Sequence, residues 1–418
     1  MVDGFRYLTL RQAYSAVLSA PRPNARRRGL TLVHARISLL LLLVAPWGTA
    51  CDPARPSADD PMRIDSAGVE LVIGSARDRP LPWRLEPVAS VGGVADERFS
   101  LTRLFPHDVA ADGAGRIYVL DRSGHRVLVL SGAGDLLDSL GREGGGPGEL
   151  MEPLGLTIEA GGILAVADFG RGGFVRWSAH GDPLEWVRAP IFPWSPKVSI
   201  TPAGLLMTTR ARGADGAPLY RLTLRREAGD HTLASMRRLP GRVVRFRSCG
   251  GAELLVPPLF APALVWDARD GRIAAYDGGP YVIDVYDGER HVRSIRRDIS
   301  QRQVDGGMAR REAASGWTIY DNCIVPPDEV VRGVGYADVL PSIMALALAP
   351  SGEVWALRGR VADEPSQVDV FAPDGTYQGT LGPGSPFPAA FLPDGRIVAV
   401  DRDSLDVPRI TVYRITRR

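Results

Sequence analysis

Apolar and polar residues alternate along most of the chain in short runs, the period of a half-buried β-strand rather than of a helix. A turn glycine followed by such a run recurs six times: Gly115-RIYVLD, Gly162-ILAVAD, Gly204-LLMTTR, Gly271-RIAAYD, Gly352-EVWALR and Gly395-RIVAVD. The intervals are 47, 42, 67, 81 and 43 residues. Apolar strands precede these turns at 108–112, 156–160, 346–350 and 389–393, and a third strand follows each unit's glycine strand. Gly-Asp and Asp-Gly turns then lead to a fourth strand, as at Gly134, Gly181 and Gly375.

A four-stranded unit of about 40–45 residues is the size of a propeller blade. The two longer intervals are one blade plus an insertion, at about 238–262 and 298–341, the second with a helix around Gln301–Ala314. The last unit stops after Tyr413 without a fourth strand, while Trp83–Gly92 reads as a strand without a partner. The pattern therefore predicts an all-β, six-bladed β-propeller over 68–418, with that N-terminal strand completing the last blade. Such a closure removes an exposed sheet edge.

Composition agrees with this reading. Of 418 residues, 47 are Gly and 34 Pro, rich in turns, while 45% hydrophobic and 23% charged residues indicate a globular chain. The formal net charge of +2 conceals a division. Residues 1–50 hold seven arginines against Asp3, so the remainder is net acidic. An acidic body excludes nucleic acid as a partner and gives no support to a general anionic-membrane binder. Lys197 is the sole lysine, which removes Walker A and most Schiff-base chemistry.

The arginines of the first fifty residues end in ARRRGLTLVHAR (25–36), followed by a short apolar run from Ile37 to Pro46. That run suits a signal peptide and is too short to span a membrane. Gly48, Ala50 and Cys51 then resemble a bacterial lipobox, although Gly48 replaces the usual larger aliphatic residue. The reading is a signal with an N-terminal extension over 1–50, a lipidated Cys51 and a tether over 51–67. It implies export to the bacterial cell envelope, with membrane attachment through Cys51 and the body outside the cytoplasm as a monomer.

The first unit resembles the NHL-type repeat: Pro106-His107-Asp108-Val109, then Gly115-RIYVLD-121, then His125-Arg126-Val127. The loop Leu140-GREGGGPGEL-Met151 resembles the glycine-rich connection between blades of that group. The resemblance is to exported bacterial six-bladed propellers of unknown function. It implies fold more than activity, because propellers host many unrelated functions.

Long loops gather on the face carrying the blade-to-blade connections, where binding is expected. The residue six after each turn glycine reaches the same face. It is Asp121, Asp168, Asp277 and Asp401 in four units, expected to accept hydrogen bonds in the following turn, but Arg210 and Arg358 in the other two. Those two offer charges the fold does not visibly require. With Arg142 of the glycine-rich connection and His107 they are the candidate ligand contacts, suited to an acidic glycan or a protein loop. The basic stretches Arg237–Arg247 and Arg290–Arg302 read as solvated strand faces. Cys249 and Cys323 fall in the two insertions and are the expected disulfide of an exported chain.

The competing function is a metal-dependent lactonase- or lyase-like enzyme at the channel mouth. In NHL-like amidating lyases channel histidines bind a metal, and only His107 is well placed here. A gluconolactonase-like calcium site needs an inner-strand Asn, and the only asparagines are Asn24 and Asn322. No GxSxG or HExxH is present. The sequence names no catalytic residue, metal ligand or cofactor, and the leading expectation is a binding or scaffold module.

Overall fold

The structure, a computed structural model, describes residues 61–417 except 95, 97, 98, 100, 102, 103, 194–196, 320–322 and 406. The signal segment, Cys51 and the first ten tether residues lie outside the described residues. The N-terminal strands are β1 (Met62–Ser66), β2 (Val69–Gly74) and β3 (Arg84–Gly92). Blade 1 comprises β4 (Val109–Ala111), β5 (Ile117–Asp121), β6 (Arg126–Leu130) and β7 (Leu136–Leu140). Blade 2 comprises β8 (Pro153–Ile158), β9 (Leu164–Asp168), β10 (Gly173–Trp177) and β11 (Pro183–Arg188). Blade 3 comprises β12 (Val198–Thr201), β13 (Gly204–Arg212), β14 (Pro218–Arg226) and β15 (Gly229–Arg237). A hairpin of β16 (Arg242–Phe246) and β17 (Ala252–Val256) follows.

Blade 4 is β18 (Val265–Arg269), β19 (Arg272–Tyr276), β20 (Val282–Asp287) and β21 (Arg290–Arg297). The second insertion holds α1 (Gly306–Ala314), β22 (Trp317–Ile319), β23 (Cys323–Val325) and α2 (Pro327–Val334). Blade 5 is β24 (Ile343–Leu348), β25 (Val354–Arg358), β26 (Val368–Phe371) and β27 (Tyr377–Thr380). Blade 6 has β28 (Ala390–Phe391), β29 (Ile397–Arg402) and β30 (Pro408–Thr416), and β3 pairs antiparallel with β30 as its fourth strand.

All six turn glycines have positive φ, between 77° and 137°. A side chain resists that backbone region, so the repeating glycine is what each inner hairpin requires. Successive strands bury alternate faces, and six apolar clusters each bridge one pair of neighbouring blades around the ring. The cluster closing the ring joins Val109, Ile117 and Leu128 of blade 1 to Leu392, Val398 and Ile410 of blade 6.

The insertions build a small accessory module. Its core combines Phe246 and Val256 from the first with Met308, Trp317 and Val330 from the second. Cys249 and Cys323 are bonded, with Cα atoms 5.8 Å apart. The expected helix begins only at Gly306, where the Asp305 carboxylate accepts the Met308 amide as N-cap. The second helix, α2, was not expected. It starts at a proline and presents Val330 and Val334 inward.

The tether is shorter than expected, because 62–66 is a strand rather than a linker. Ala67 and Gly68, both at positive φ, turn β1 back onto β2. The β2 strand then adds parallel to β21, extending blade 4 to six strands. Beyond it Arg79 and Leu81 exchange backbone hydrogen bonds with Thr380 of blade 5 at 2.8 Å. The N-terminal segment thus runs as a strap along the outer edges of blades 4, 5 and 6.

Candidate functional site

Three of the four recurring aspartates accept backbone hydrogen bonds, as expected. Asp121 accepts from Gly124 N at 2.9 Å, and Asp277 from Gly279 N at 3.0 Å. Asp168 accepts from Met151, Glu152 and Arg171 at 2.7–3.0 Å, fastening the connection from blade 1. Asp401 instead takes the Tyr413 hydroxyl at 2.6 Å.

Arg358 is not a spare charge. The residue is 9% exposed, and its guanidinium donates to Asp369 from Nε at 2.8 Å and Nη2 at 2.7 Å. It also bonds both carboxylate oxygens of Asp78 in the strap. Asp369 has no exposed surface and further accepts from Arg297, Tyr281 and Thr380 at 2.6–2.9 Å. Arg297 in turn reaches the Ser75 and Arg77 carbonyls and lies 3.7 Å from the Tyr377 ring centroid. This network clamps the strap to blades 4 and 5. A buried charge persists when every donor and acceptor has a partner, so Arg358 is structural.

Arg142 pairs with Glu149 at 2.7 Å while remaining largely exposed. The loop's glycines do not make room for a partner. Glu149 turns inward to accept Gly146 N at 2.7 Å, and a Cβ on Gly146 would meet its carboxylate at 2.9 Å. Arg210 stands exposed on β13. Arg358 and Arg142 are thus each engaged by carboxylates of their own surroundings.

His107 lies half-buried at the start of blade 1, stacked on Phe105 with ring centroids 5.3 Å apart. Arg122 Nη2 is 2.7 Å from His107 Nε2. Guanidinium only donates, so this nitrogen is the acceptor and the proton sits on Nδ1. Burial, with Arg122 and Lys197 nearby, holds the imidazole well below its usual pKa. Arg122 also pairs with buried Asp108 at 2.7 Å and reaches the Leu154 carbonyl of blade 2. Burial raises the Asp108 carboxyl to about 6, against the pull of Arg122. Lys197 bonds Asp267 of blade 4 at 2.8 Å, and Asp267 accepts Leu348 N from blade 5. These polar groups tie blades together. Among the described residues no group of three His, Cys, Asp or Glu side chains is placed to hold a metal.

The concave feature that sequence reasoning missed lies between the outer parts of blades 2 and 3. Leu222 and Leu224 of β14 pack toward blade 4, so strand alternation turns Arg221, Thr223 and Arg225 toward blade 2. A cleft of about 540 Å³ opens between these outer parts. Its walls are Phe169 (42% exposed), Trp186 (36%), Arg171, Arg188, Arg225 and the 189–191 connection. Trp186 lies across Gly173, where a Cβ would meet its Nε1 at 2.8 Å. Arg225 is paired with Asp230 and Arg171 with the Gly146 carbonyl, whereas Arg188 has no carboxylate partner among the described residues. Half-exposed aromatics beside a free guanidinium suit a ligand with apolar faces and an anionic group. Trp186-Val187 on an outer strand was the one sequence signal for it.

A profile of the NHL repeat matches residues 104–130, the segment holding His107, Asp108 and Arg122. The chain is a six-bladed β-propeller with an NHL repeat. No curated protein matches it. Among solved structures, an inferred exported protein of Bacteroides fragilis is 10% identical, with 83% of this chain and 99% of that one covered and a TM-score of 0.45. A DUF4221 member from Bacteroides vulgatus is 12% identical, covering 80% and 99%, with a TM-score of 0.42. A streptogramin B lyase is 12% identical, covering 80% and 98%, with a TM-score of 0.33. Similarity at this level says nothing about the propeller's chemistry. No helix of the described residues is long and apolar enough to cross a membrane.

Proposed function

We propose that this propeller is an exported, lipid-anchored binding module of the bacterial cell envelope, and that its ligand is an acidic glycan received between blades 2 and 3. The observation that carries the ligand class is the cleft wall of Trp186, Phe169 and Arg188. An indole can stack on the apolar face of a sugar, while a guanidinium fork fits a uronic carboxylate. The blade strands fix the backbone beneath these groups, so ordering on binding is confined to side chains.

Calorimetric titration with oligogalacturonate tests the ligand. Binding should weaken about tenfold in Trp186→Ala and again in Arg188→Ala, each close to 1.4 kcal/mol. No heat of binding, or equal affinity in both variants, would overturn the ligand assignment. The anchor is tested separately by mass spectrometry of the native N-terminus, which should begin at Cys51 and carry acyl chains. A mature chain starting there without lipid would remove the anchor.

A further inference from the structure

We propose that the outer face of the accessory module rests on an anionic lipid bilayer. In the module α2 packs beneath β16, with Gly333 against Val244, and both hairpins turn one face to the shared core. The opposite face of the β16–β17 hairpin meets solvent. Alternation normally places polar side chains there. Instead Val243 and Leu255 stand directly opposite one another, 65% and 66% exposed, and Ile324 of β23 is 73% exposed.

The same hairpin is basic. Arg245 shares the aliphatic face and has Glu253, the hairpin's only carboxylate, directly opposite it, while Arg242 and Arg247 flank β16 at its two ends; all three arginines are exposed and form no ion pair among the described residues. The other arginine-rich stretch contrasts with it: Arg293, Arg296, Arg297 and Arg302 are paired with Glu70, Asp298, Asp369 and Glu364. A net acidic body thus carries a local aliphatic face with arginines at its rim, a pairing that suits an anionic membrane surface.

The chain's path adds a positional reason. Gly74 of β2 lies beside Arg297, and Met62 lies opposite Ile73. The described chain therefore begins at the end of blade 4 from which the second insertion departs. Residues 51–60 span at most about 35 Å when extended, so an anchor at Cys51 keeps this face near the bilayer. The tether geometry rests on the anchored reading above; the aliphatic face and its charge do not.

Residues 61–417 contain every described strand of the six blades and the module, so a chain begun at Asp52 retains the fold without any lipid. Its co-flotation is measured with vesicles of equal phosphatidylglycerol and phosphatidylcholine, and with pure phosphatidylcholine. Binding should require phosphatidylglycerol. It should fall on the order of a hundredfold when Arg242, Arg245 and Arg247 are all replaced by Glu. A second variant, Val243→Ser with Leu255→Ser, should also bind more weakly, with the melting temperature of each variant checking the fold. Absence of flotation, equal flotation with both vesicles, or undiminished binding by the arginine variant would overturn the proposal. So would a concentration-dependent dimer lost in the Val243→Ser, Leu255→Ser variant without flotation, which would give the face to a second copy. Failure here leaves the acylation test at Cys51 unaffected.

Discussion

Replacing Arg358 with alanine should unfold the propeller at a distinctly lower temperature. The substitution deletes the bonds from its guanidinium to Asp369 and Asp78, and one to Thr380 Oγ1 at 3.1 Å. Asp369 keeps Arg297, Tyr281 and Thr380, but this buried carboxylate must then share the Arg297 guanidinium with the exposed Asp78. Breaking a buried ion pair from one side costs about 3–5 kcal/mol. With an unfolding entropy of about 2.1 cal/mol/K per residue over roughly 350 residues, that is a fall of about 4–7 °C. Differential scanning calorimetry of the purified chain measures it. Arg142→Ala, which breaks an exposed pair, is the control and should change the midpoint by less than about 1 °C. If Arg358→Ala also moved it by less than 1 °C, the network would not fasten the strap and Arg358 would again be a candidate contact.

Acidification provides a second test, in which two neighbouring groups oppose each other. Asp108, raised to about 6, is more protonated in the folded than in the unfolded chain, so its contribution to stability increases as pH falls from 7 toward 4. His107, held well below its usual value, protonates more readily when unfolded, and its contribution decreases below about 6.5. Asp108→Asn should therefore lose more stability between pH 7 and 5 than the parent chain in urea titrations; parallel profiles would refute the assignment. For the disulfide, a chain begun at Asp52 and denatured without reductant should show no titratable thiol, and two thiols would show that Cys249 and Cys323 are free. The Cys249→Ser, Cys323→Ser pair should lose up to about 4 kcal/mol in denaturant unfolding, from the 74-residue separation of the bonded cysteines.

The blades were legible because their signal is local. A glycine forced to positive φ, flanked by alternating strands, recurs wherever an inner hairpin turns, and the unpaired Trp83–Gly92 strand matched the blade lacking a fourth. Features made by distant residues were not legible. Nothing near Arg358 announces Asp78, which is 280 residues away, although an aspartate inside the apolar run Val368–Phe371 was a local sign that a buried cation was needed. The β1 strand falls in the segment read as tether because it is held through β2, whose partner β21 lies more than 200 residues downstream. The blade 2–3 cleft escaped notice for a related reason. Strand alternation gives the two faces of β14, but only the ring decides that its arginine-bearing face borders a cleft.

The strap imposes an order on folding. Its second strand pairs with β21 and its third with β30, the last, with Arg63 joined to Asp374 across 311 residues and Arg84 opposite Thr416. The β1–β2 hairpin can form early, but β3 has no partner until almost the whole chain has been synthesised. Contacts this remote carry a large loop-closure cost and slow the final step. Under the export proposed above, with the N-terminus entering first, the ring cannot close on the near side of the membrane while β30 is still missing.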